Sequence, residues 1–219
     1  MIPQERFDLI ELLNMSLRAL ADYTWHGIGL LSLYFITIAF VVYFFSGLYG
    51  EQYEISVKSK WIVIVFGMAL GLLDMYMGQN MVHYPVWGIL ALLFFIDAKY
   101  QELPDAMNLV IAILGLPIVI QSFFTGSSYL EWTLLSGILL FSIFLAIAIV
   151  SPLGGGDIKM MGAIGLYFPL YEVPQLLFFG FAVGVLHGIY LLLFTDAGMK
   201  SKFAFGPGLI IGVLLTSIF

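Results

Sequence analysis

Long apolar segments recur along the whole sequence, and they constrain the fold more than any other feature. About twenty helical residues cross a bilayer core of roughly 30 Å, and in lipid a helix satisfies all its own backbone groups. With 62% hydrophobic residues, 10% charged residues and a mean hydropathy of +1.05, the composition is far from that of globular domains. We predict an all-α polytopic membrane protein with about eight transmembrane segments. They are residues 27–48, 61–77, 84–96, 105–124, 130–150, 157–168, 174–194 and 206–219.

The region before the first apolar segment has a different pattern. Residues 3–25 place apolar side chains at helical spacing with charges between them, which predicts an amphipathic helix on the membrane surface or against the bundle. Its acidic start does not fit a cleavable signal peptide. We divide the chain into residues 1–83, with this helix and two accessory spans, and residues 84–219, a six-helix core.

The lysines give a prediction of topology. If the segments alternate in direction, every lysine falls in a connection on one side of the membrane. By the positive-inside rule that side is cytoplasmic, which places Asp97 and Asp157 at the cytoplasmic face. The lysines are Lys58, Lys60, Lys99, Lys159, Lys200 and Lys202.

Charge and cysteine content exclude several classes of function. A net charge of −6 argues against a nucleic-acid partner. Because the sequence has no cysteine, it contains no disulfide, no thiolate zinc site and no cysteine nucleophile. We expect the lipid bilayer as a partner and neither a metal nor another cofactor.

Two aspartates stand at the boundaries of apolar segments. Asp97 ends the third segment, and Asp157 begins the sixth directly after Gly154, Gly155 and Gly156. Ionisable groups at membrane depth are costly and usually functional. Two carboxyl groups in one buried site share a proton, so that one activates water while the other polarises a carbonyl. This is the chemistry of an aspartic protease, and it needs both groups within hydrogen-bond reach, directly or through one water. A turn with Asp157 as a helix N-cap is the structural alternative.

The glycines suggest how this pair is supported. The three glycines before Asp157 can adopt backbone conformations closed to other residues and let an extended substrate approach, so we predict that they bind substrate. Gly162, Ala163 and Gly165 give the sixth segment a surface of small residues, which lets membrane helices pack closely. Such packing would hold Asp157 opposite Asp97.

Three motifs resemble those of the type IV prepilin peptidases. Residues 95–105, FIDAKYQELPD, resemble the family's first aspartate motif. Residues 154–159, GGGDIK, are similar to its GxGD motif with a trailing lysine, and residues 203–208, FAFGPG, are similar to its terminal Phe-Gly-Pro box. The resemblance covers roughly residues 84–219, the core shared with archaeal preflagellin peptidases.

The resemblance implies a membrane-embedded aspartic endopeptidase of the cell (inner) membrane. It would cleave leader peptides of prepilin-like, preflagellin or pseudopilin substrates at the cytoplasmic face, after a glycine and ahead of an apolar helix. By motif position, Asp97 and Asp157 would be catalytic. The substrate-binding candidates are the three glycines with Lys99, Lys159, Pro104 and Asp105. Candidate acids for a basic leader are Glu102, Asp105 and Asp196, for which helix capping and loop solvation are the favoured alternative.

Some features depart from the family, and other functions remain open. Many bacterial members have a cysteine-containing cytoplasmic loop and methylate the product. Without cysteine we expect neither zinc there nor methylation. Presenilin-like proteases share GxGD, but their tyrosine-aspartate and proline-alanine-leucine motifs are absent at the expected places. Asp97 and Asp157 could instead form the ion or proton site of a transporter at a broken helix, or the chain could be a catalytically silent subunit.

Other polar residues favour structural roles. Asp74 lies toward the opposite face from the pair, where we expect either a hydrogen bond to a neighbouring helix or exposure at the membrane boundary. His187 has no second nitrogen ligand at metal spacing, so a buried histidine bonded to a neighbour is favoured over a metal ligand. Lys99 and Lys159 fit helix-end anchoring as well as substrate contact.

Overall fold

The computed structural model describes residues 29, 31–77, 84–125, 132–151, 153–194 and 204–219. All regular structure in these ranges is helical, which confirms the predicted all-α class. The predicted amphipathic helix at residues 3–25 lies outside them. The helices are α1 (Leu31–Leu48), α2 (Val57–Met77), α3 (Tyr84–Tyr100), α4 (Asp105–Thr125), α5 (Thr133–Val150), α6 (Gly155–Gly165), α7 (Val173–Phe194) and α8 (Gly206–Ile218), with a 3₁₀ turn at Leu170–Glu172.

Several helices have the length and composition of membrane spans. Within the described ranges, four apolar helical stretches are long enough to cross a bilayer, namely α1, α4, α5 and Leu170–Tyr190. Large apolar side chains such as Phe40, Phe124 and Phe178 point outward and are exposed. Such a surface suits contact with lipid rather than water. The chain is therefore a multi-pass membrane protein, while the number of eight spans stays a prediction.

Helix boundaries follow local signals in most places. Because a residue before proline avoids the helical region, Leu103-Pro104 separates α3 from α4, which begins at Asp105 as predicted. Helix α5 ends at Val150, since Ser151 is extended. Helix α3 continues one turn beyond the predicted span, so Asp97 lies on its last turn. Helix α6 ends at Gly165, shorter than predicted.

Helices α2, α3 and α8 are joined by a buried carboxylate. Asp74 of α2 is fully buried, and its Oδ2 accepts a hydrogen bond of 3.0 Å from Nε1 of Trp87 in α3. Its Oδ1 accepts a hydrogen bond from the hydroxyl of Ser217 in α8. The predicted role of Asp74 as a bond between neighbouring helices is confirmed.

Glycines permit the closest helix contacts. An added Cβ at Gly165 of α6 would lie 2.7 Å from the Cα of Gly137 in α5, and one at Gly162 would meet Phe141. The predicted tight packing of the small-residue face of α6 is confirmed. Helices α7 and α8 also pack closely through glycines, since a Cβ at Gly212 of α8 would lie 2.5 Å from the Cα of Gly180 in α7. These contacts fix the helices that carry the site.

Candidate active site

The structure brings Asp97 and Asp157 to one cavity of about 360 Å³. Both side chains are buried, with 5% and 7% of their surface exposed. Asp97 comes from the end of α3 and Asp157 from the start of α6. The other lining residues are Gln52, Tyr53, Gln101, Glu102, Leu103, Pro104, Asp105, Gly154, Gly155 and Gly156.

Asp97 is held by the first turn of α8. The backbone N–H of Gly206 donates a hydrogen bond of 2.9 Å to its Oδ2. Because the amino end of a helix carries partial positive charge, this position suits a carboxylate. A Cβ at Gly206 would lie only 2.8 Å from the same oxygen, so glycine leaves the space that the carboxylate occupies. His187 of α7 interacts electrostatically with Asp97.

Asp157 lies on the first turn of α6. Its Oδ1 is buried and has no hydrogen-bond partner among the described residues. Its Oδ2 lies beside the backbone of Gly154, 3.1 Å from where a Cβ would stand. The Asp157 carboxyl group interacts electrostatically with that of Asp97. One oxygen of the second acid is therefore buried without a partner in the described part of the chain.

The three glycines do not need the unusual backbone conformations that were predicted for them, and their role in binding substrate stays a prediction. None of them has positive φ, and Gly154 is extended at φ −70°. Gly156 is required by a close contact instead, because a Cβ there would lie 2.6 Å from the Cβ of Leu103. Nδ2 of Asn108 in α4 donates a 3.2 Å hydrogen bond to the carbonyl of Gly156. The contact between Gly156 and Leu103 joins the start of α6 to the turn before α4, and the Asn108 hydrogen bond joins it to α4 itself.

The turn between α3 and α4 forms one wall of the cavity. Gln101 has φ 56°, a left-handed conformation that costs a non-glycine residue about 1–2 kcal/mol. This turn directs Leu103 toward Gly156 and places Pro104 and Asp105, two predicted substrate-binding residues, in the cavity lining. Glu102 also lines the cavity, whereas Asp196 lies outside the described residues.

The two predicted lysines are not part of the described cavity lining. Nζ of Lys159 forms an ion pair of 2.6 Å with Oδ2 of Asp105. Nζ of Lys99 donates to the carbonyl of Glu54 at 3.3 Å. Each lysine thus has a partner on a neighbouring segment, and a substrate contact for either stays a prediction.

Two lining residues lie outside the motifs recognised in the sequence. Gln52 and Tyr53 belong to the connection between α1 and α2, and the Tyr53 hydroxyl donates a 2.8 Å hydrogen bond to Oε2 of Glu102. Burial, together with this bond, raises the pKa of Tyr53 above its usual range. A tyrosine in a polar connection carries no signal that would relate it to acids so far along the chain. The backbone N–H of Gly206 is a further unpredicted contributor, although the Phe-Gly-Pro box marked its position.

The arrangement has the elements of acid–base hydrolysis without a covalent intermediate. Two carboxyl groups from different helices share a cavity large enough for water and a short extended segment of peptide. Within the described residues, no group of three or more histidine or acidic side chains could hold a metal ion.

Comparison with known proteins gives matches in the part of the chain that carries the cavity. The model of the type IV leader peptidase family matches residues 84–189. The prepilin leader peptidase/N-methyltransferase of Neisseria gonorrhoeae is 27% identical over 165 residues, which are 72% of this chain and 56% of that protein. Proteins of the same description from Stutzerimonas stutzeri and Pseudomonas aeruginosa are each 30% identical, over 57% of this chain and 44% of theirs.

The chain thus spans about half of the length of the curated relatives that it matches. No solved structure gives a significant match. The family match includes both Asp97 and Asp157 with the motifs around them. The resemblance found in those motifs is confirmed, since residues 84–189 match the model of the type IV leader peptidase family.

Proposed function

We propose that this protein is a membrane-embedded aspartic endopeptidase that removes leader peptides from prepilin-like, preflagellin or pseudopilin proteins. The observation that carries the proposal is the shared cavity of Asp97 and Asp157, two buried acids 60 residues apart in sequence. The family match supports peptidase activity on leader peptides and does not favour a transporter.

The proposed mechanism uses the two carboxyl groups as one unit. Like charge and burial disfavour a second ionisation, so the pair carries one proton. The ionised carboxylate takes a proton from water, and the water oxygen adds to the scissile carbonyl carbon. The protonated carboxyl group gives its proton to the carbonyl oxygen, which completes a gem-diol. When the diol collapses, the carbon–nitrogen bond breaks, the leaving nitrogen accepts a proton from one carboxyl group, and the other carboxylate takes a proton from a diol hydroxyl, so the pair again holds one proton.

The charge of the cavity supports a basic leader as substrate. Besides the pair, the lining includes the carboxylates of Glu102 and Asp105, and no lysine or arginine is part of the described lining. Asp105 is compensated by Lys159, whereas the described partners of the Glu102 carboxylate are a hydroxyl and an amide, which carry no charge. A cavity of this sign attracts cationic segments and repels acidic ones.

The proposed orientation places the cavity at the cytoplasmic face. The connection between α1 and α2 meets the end of α3, since Lys99 bonds the carbonyl of Glu54. The start of α4 meets the start of α6 through Asp105 and Lys159. Lysines therefore cluster at the end of the bundle that holds the acids, in accord with the positive-inside rule.

A cleavage assay tests the proposal. The full chain, purified in detergent, is incubated with a prepilin-like peptide that contains a basic leader, the cleavage-site glycine and the first apolar residues. We expect cleavage by the wild type, and loss of cleavage of about 10³-fold or more in Asp97→Asn and Asp157→Asn, which keep the side-chain shape. Glu51→Gln, at an exposed acid that does not line the cavity, is the matched control.

Two outcomes would contradict the proposal. A wild type that does not cleave this peptide or the matching preflagellin and pseudopilin peptides would remove the assigned activity. Retained cleavage in either asparagine variant, at an unchanged melting temperature, would remove that aspartate from the chemistry. A pH-dependent ion flux without cleavage would instead support the transporter.

A further inference from the structure

Part of the cavity wall comes from a segment outside the region that matches the family. Gln52 and Tyr53 precede residue 84, where the family match begins, yet both line the cavity with Asp97 and Asp157. They lie in the connection between α1 and α2. The accessory part of the chain thus contributes side chains to the site that the core helices build.

This connection is fixed in place by the end of α3. The carbonyl of Glu54 accepts hydrogen bonds from Nζ of Lys99 at 3.3 Å and from the hydroxyl of Tyr100 at 3.4 Å. The rings of Tyr53 and Tyr100 pack with their centroids 5.0 Å apart, and Tyr53 is only 2% exposed. Aromatic packing and hydrogen bonds of this kind hold a side chain at one position. The segment therefore forms a wall rather than a loosely apposed loop.

The polar groups of this wall form a small network. Oε2 of Glu102 accepts hydrogen bonds from the Tyr53 hydroxyl at 2.8 Å and from Nε2 of Gln52 at 3.4 Å. The same Nε2 donates to the Tyr53 oxygen at 3.1 Å. The donors of this network point into it, so the atoms it can offer a ligand are acceptors, namely Oε1 of Gln52 and Oε1 of Glu102. A peptide in extended form presents backbone N–H donors at regular intervals.

We propose that Gln52, Tyr53 and Glu102 form a peptide subsite that accepts hydrogen bonds from the donor groups of an extended substrate and so positions it over the aspartate pair. This inference rests on the proposed function. Tyr53 acts through Glu102, whose carboxylate it orients, and is a positioning residue. Gln52 and Glu102 contact the substrate directly. The subsite adds binding energy in the ground state and leaves the proton transfers to Asp97 and Asp157.

Kinetics on the full chain separate this role from a structural one. Tyr53→Phe keeps the ring and its packing but removes the bond to Glu102. Gln52→Ala removes an exposed amide that donates hydrogen bonds to Tyr53 and Glu102. When a variant loses a contact that is equally strong in the ground state and the transition state, KM rises with little change in kcat. We expect KM for the leader peptide to rise about three- to tenfold in each variant, with kcat within about twofold. A purely structural role would lower the active fraction, and thus kcat, at an unchanged KM.

Matched controls are available elsewhere in the chain. Tyr43→Phe removes the hydroxyl of a tyrosine on α1 that is 44% exposed and carries Lys60 over its ring. Gln121→Ala removes an exposed glutamine near the end of α4, distant in sequence from every lining residue. Both should leave KM and kcat at wild-type values.

Photo-crosslinking to the wild type supplies an independent measurement. A leader peptide with a benzophenone side chain next to the cleavage-site glycine should give adducts within residues 49–56 after proteolysis and mass spectrometry. An unchanged KM in both variants, or adducts confined to other segments, would overturn the subsite. A wild type that cleaves no leader peptide would instead overturn the proposed function, so the two failures are distinguishable.

Discussion

The backbone N–H of Gly206 donates a 2.9 Å hydrogen bond to Oδ2 of Asp97, which lies 109 positions earlier in the chain. This bond ties the last helix of the bundle to the acid at the end of α3. It also gives a physical reason for a glycine at this position, because any Cβ would enter the space of the carboxylate. Helix α8 therefore positions the first acid of the proposed pair, although it contributes no side chain to it.

Replacing Gly206 should impair chemistry more than stability. In Gly206→Ala the new Cβ would stand 2.8 Å from Oδ2 of Asp97, so the carboxylate must turn away from its donor. A misplacement of about 1 Å at a reacting group can cost roughly 10²-fold in rate. We expect kcat for leader-peptide cleavage to fall by about that factor, measured with the melting temperature of the same preparation.

Gly47→Ala is the control for this substitution. Gly47 lies on the last turn of α1, where an added Cβ meets no atom within 4 Å. Alanine at an open helical position stabilises by about 0.5–1 kcal/mol relative to glycine. Wild-type kcat in Gly206→Ala would show that the Gly206 bond does not position Asp97.

Gly156→Ala should separate α6 from the turn before α4. Its Cβ would lie 2.6 Å from the Cβ and 3.0 Å from the carbonyl oxygen of Leu103, so one segment must move. Overpacking of this kind costs about 1–3 kcal/mol. We expect a lower melting temperature in detergent. Gly155→Ala, where nothing lies within 4 Å, should keep the wild-type melting temperature; an equal drop in both variants would contradict the contact argument.

The helices themselves were predictable because their signals are local. Apolar length marks each segment, and Leu103-Pro104 fixes the start of α4 at Asp105. The relation of Asp97 to Asp157 was also predictable, since both stand at segment ends that alternation places on one side. Recognisable motifs around each acid strengthened that prediction.

The contacts that build the site were not predictable, because they join residues far apart in sequence. Nothing in the sequence near Tyr53 indicates that its hydroxyl meets Glu102, and a run of three glycines does not show that only Gly156 faces Leu103. The left-handed Gln101 was equally hidden, since glycine or asparagine usually marks that conformation. Tertiary contacts select such conformations, and a local pattern does not contain them.

A pair that shares one proton should give a bell-shaped dependence of kcat/KM on pH. At low pH both carboxyl groups are protonated and no base remains, and at high pH both are ionised and no acid remains. Leader-peptide cleavage measured across the range in which the folded protein is stable should therefore pass through a maximum. A rate that rises to a plateau with pH would show that only one ionisation matters and would contradict the shared-proton mechanism.

Tyr53 should make the protein less stable in alkali. Burial and the bond to Glu102 raise the pKa of Tyr53 in the folded protein above its usual value of about 10. Above about pH 10 the unfolded chain releases this proton while the folded protein retains it, so the free energy of unfolding falls as pH rises. The melting temperature should drop less between about pH 9 and pH 11 in Tyr53→Phe than in the wild type. Equal drops would contradict the predicted retention of the proton, and Tyr43→Phe should follow the wild type.

Asp74 should matter for stability and not for catalysis. In Asp74→Ala, Trp87 and Ser217 lose their buried acceptor, and each unsatisfied donor costs about 1–3 kcal/mol. Trp87 stands ten residues before Asp97 on α3, about 15 Å at 1.5 Å per residue, so the pair itself should keep its geometry. We expect a clearly lower melting temperature with kcat per folded molecule near that of the wild type, whereas Glu51→Ala on the surface should change neither. If Asp74→Ala instead lost kcat at an unchanged melting temperature, the Asp74 carboxylate would have to act on the reaction. Asp74 could then no longer be treated as a structural acid that is separate from the proposed pair at the other end of the bundle.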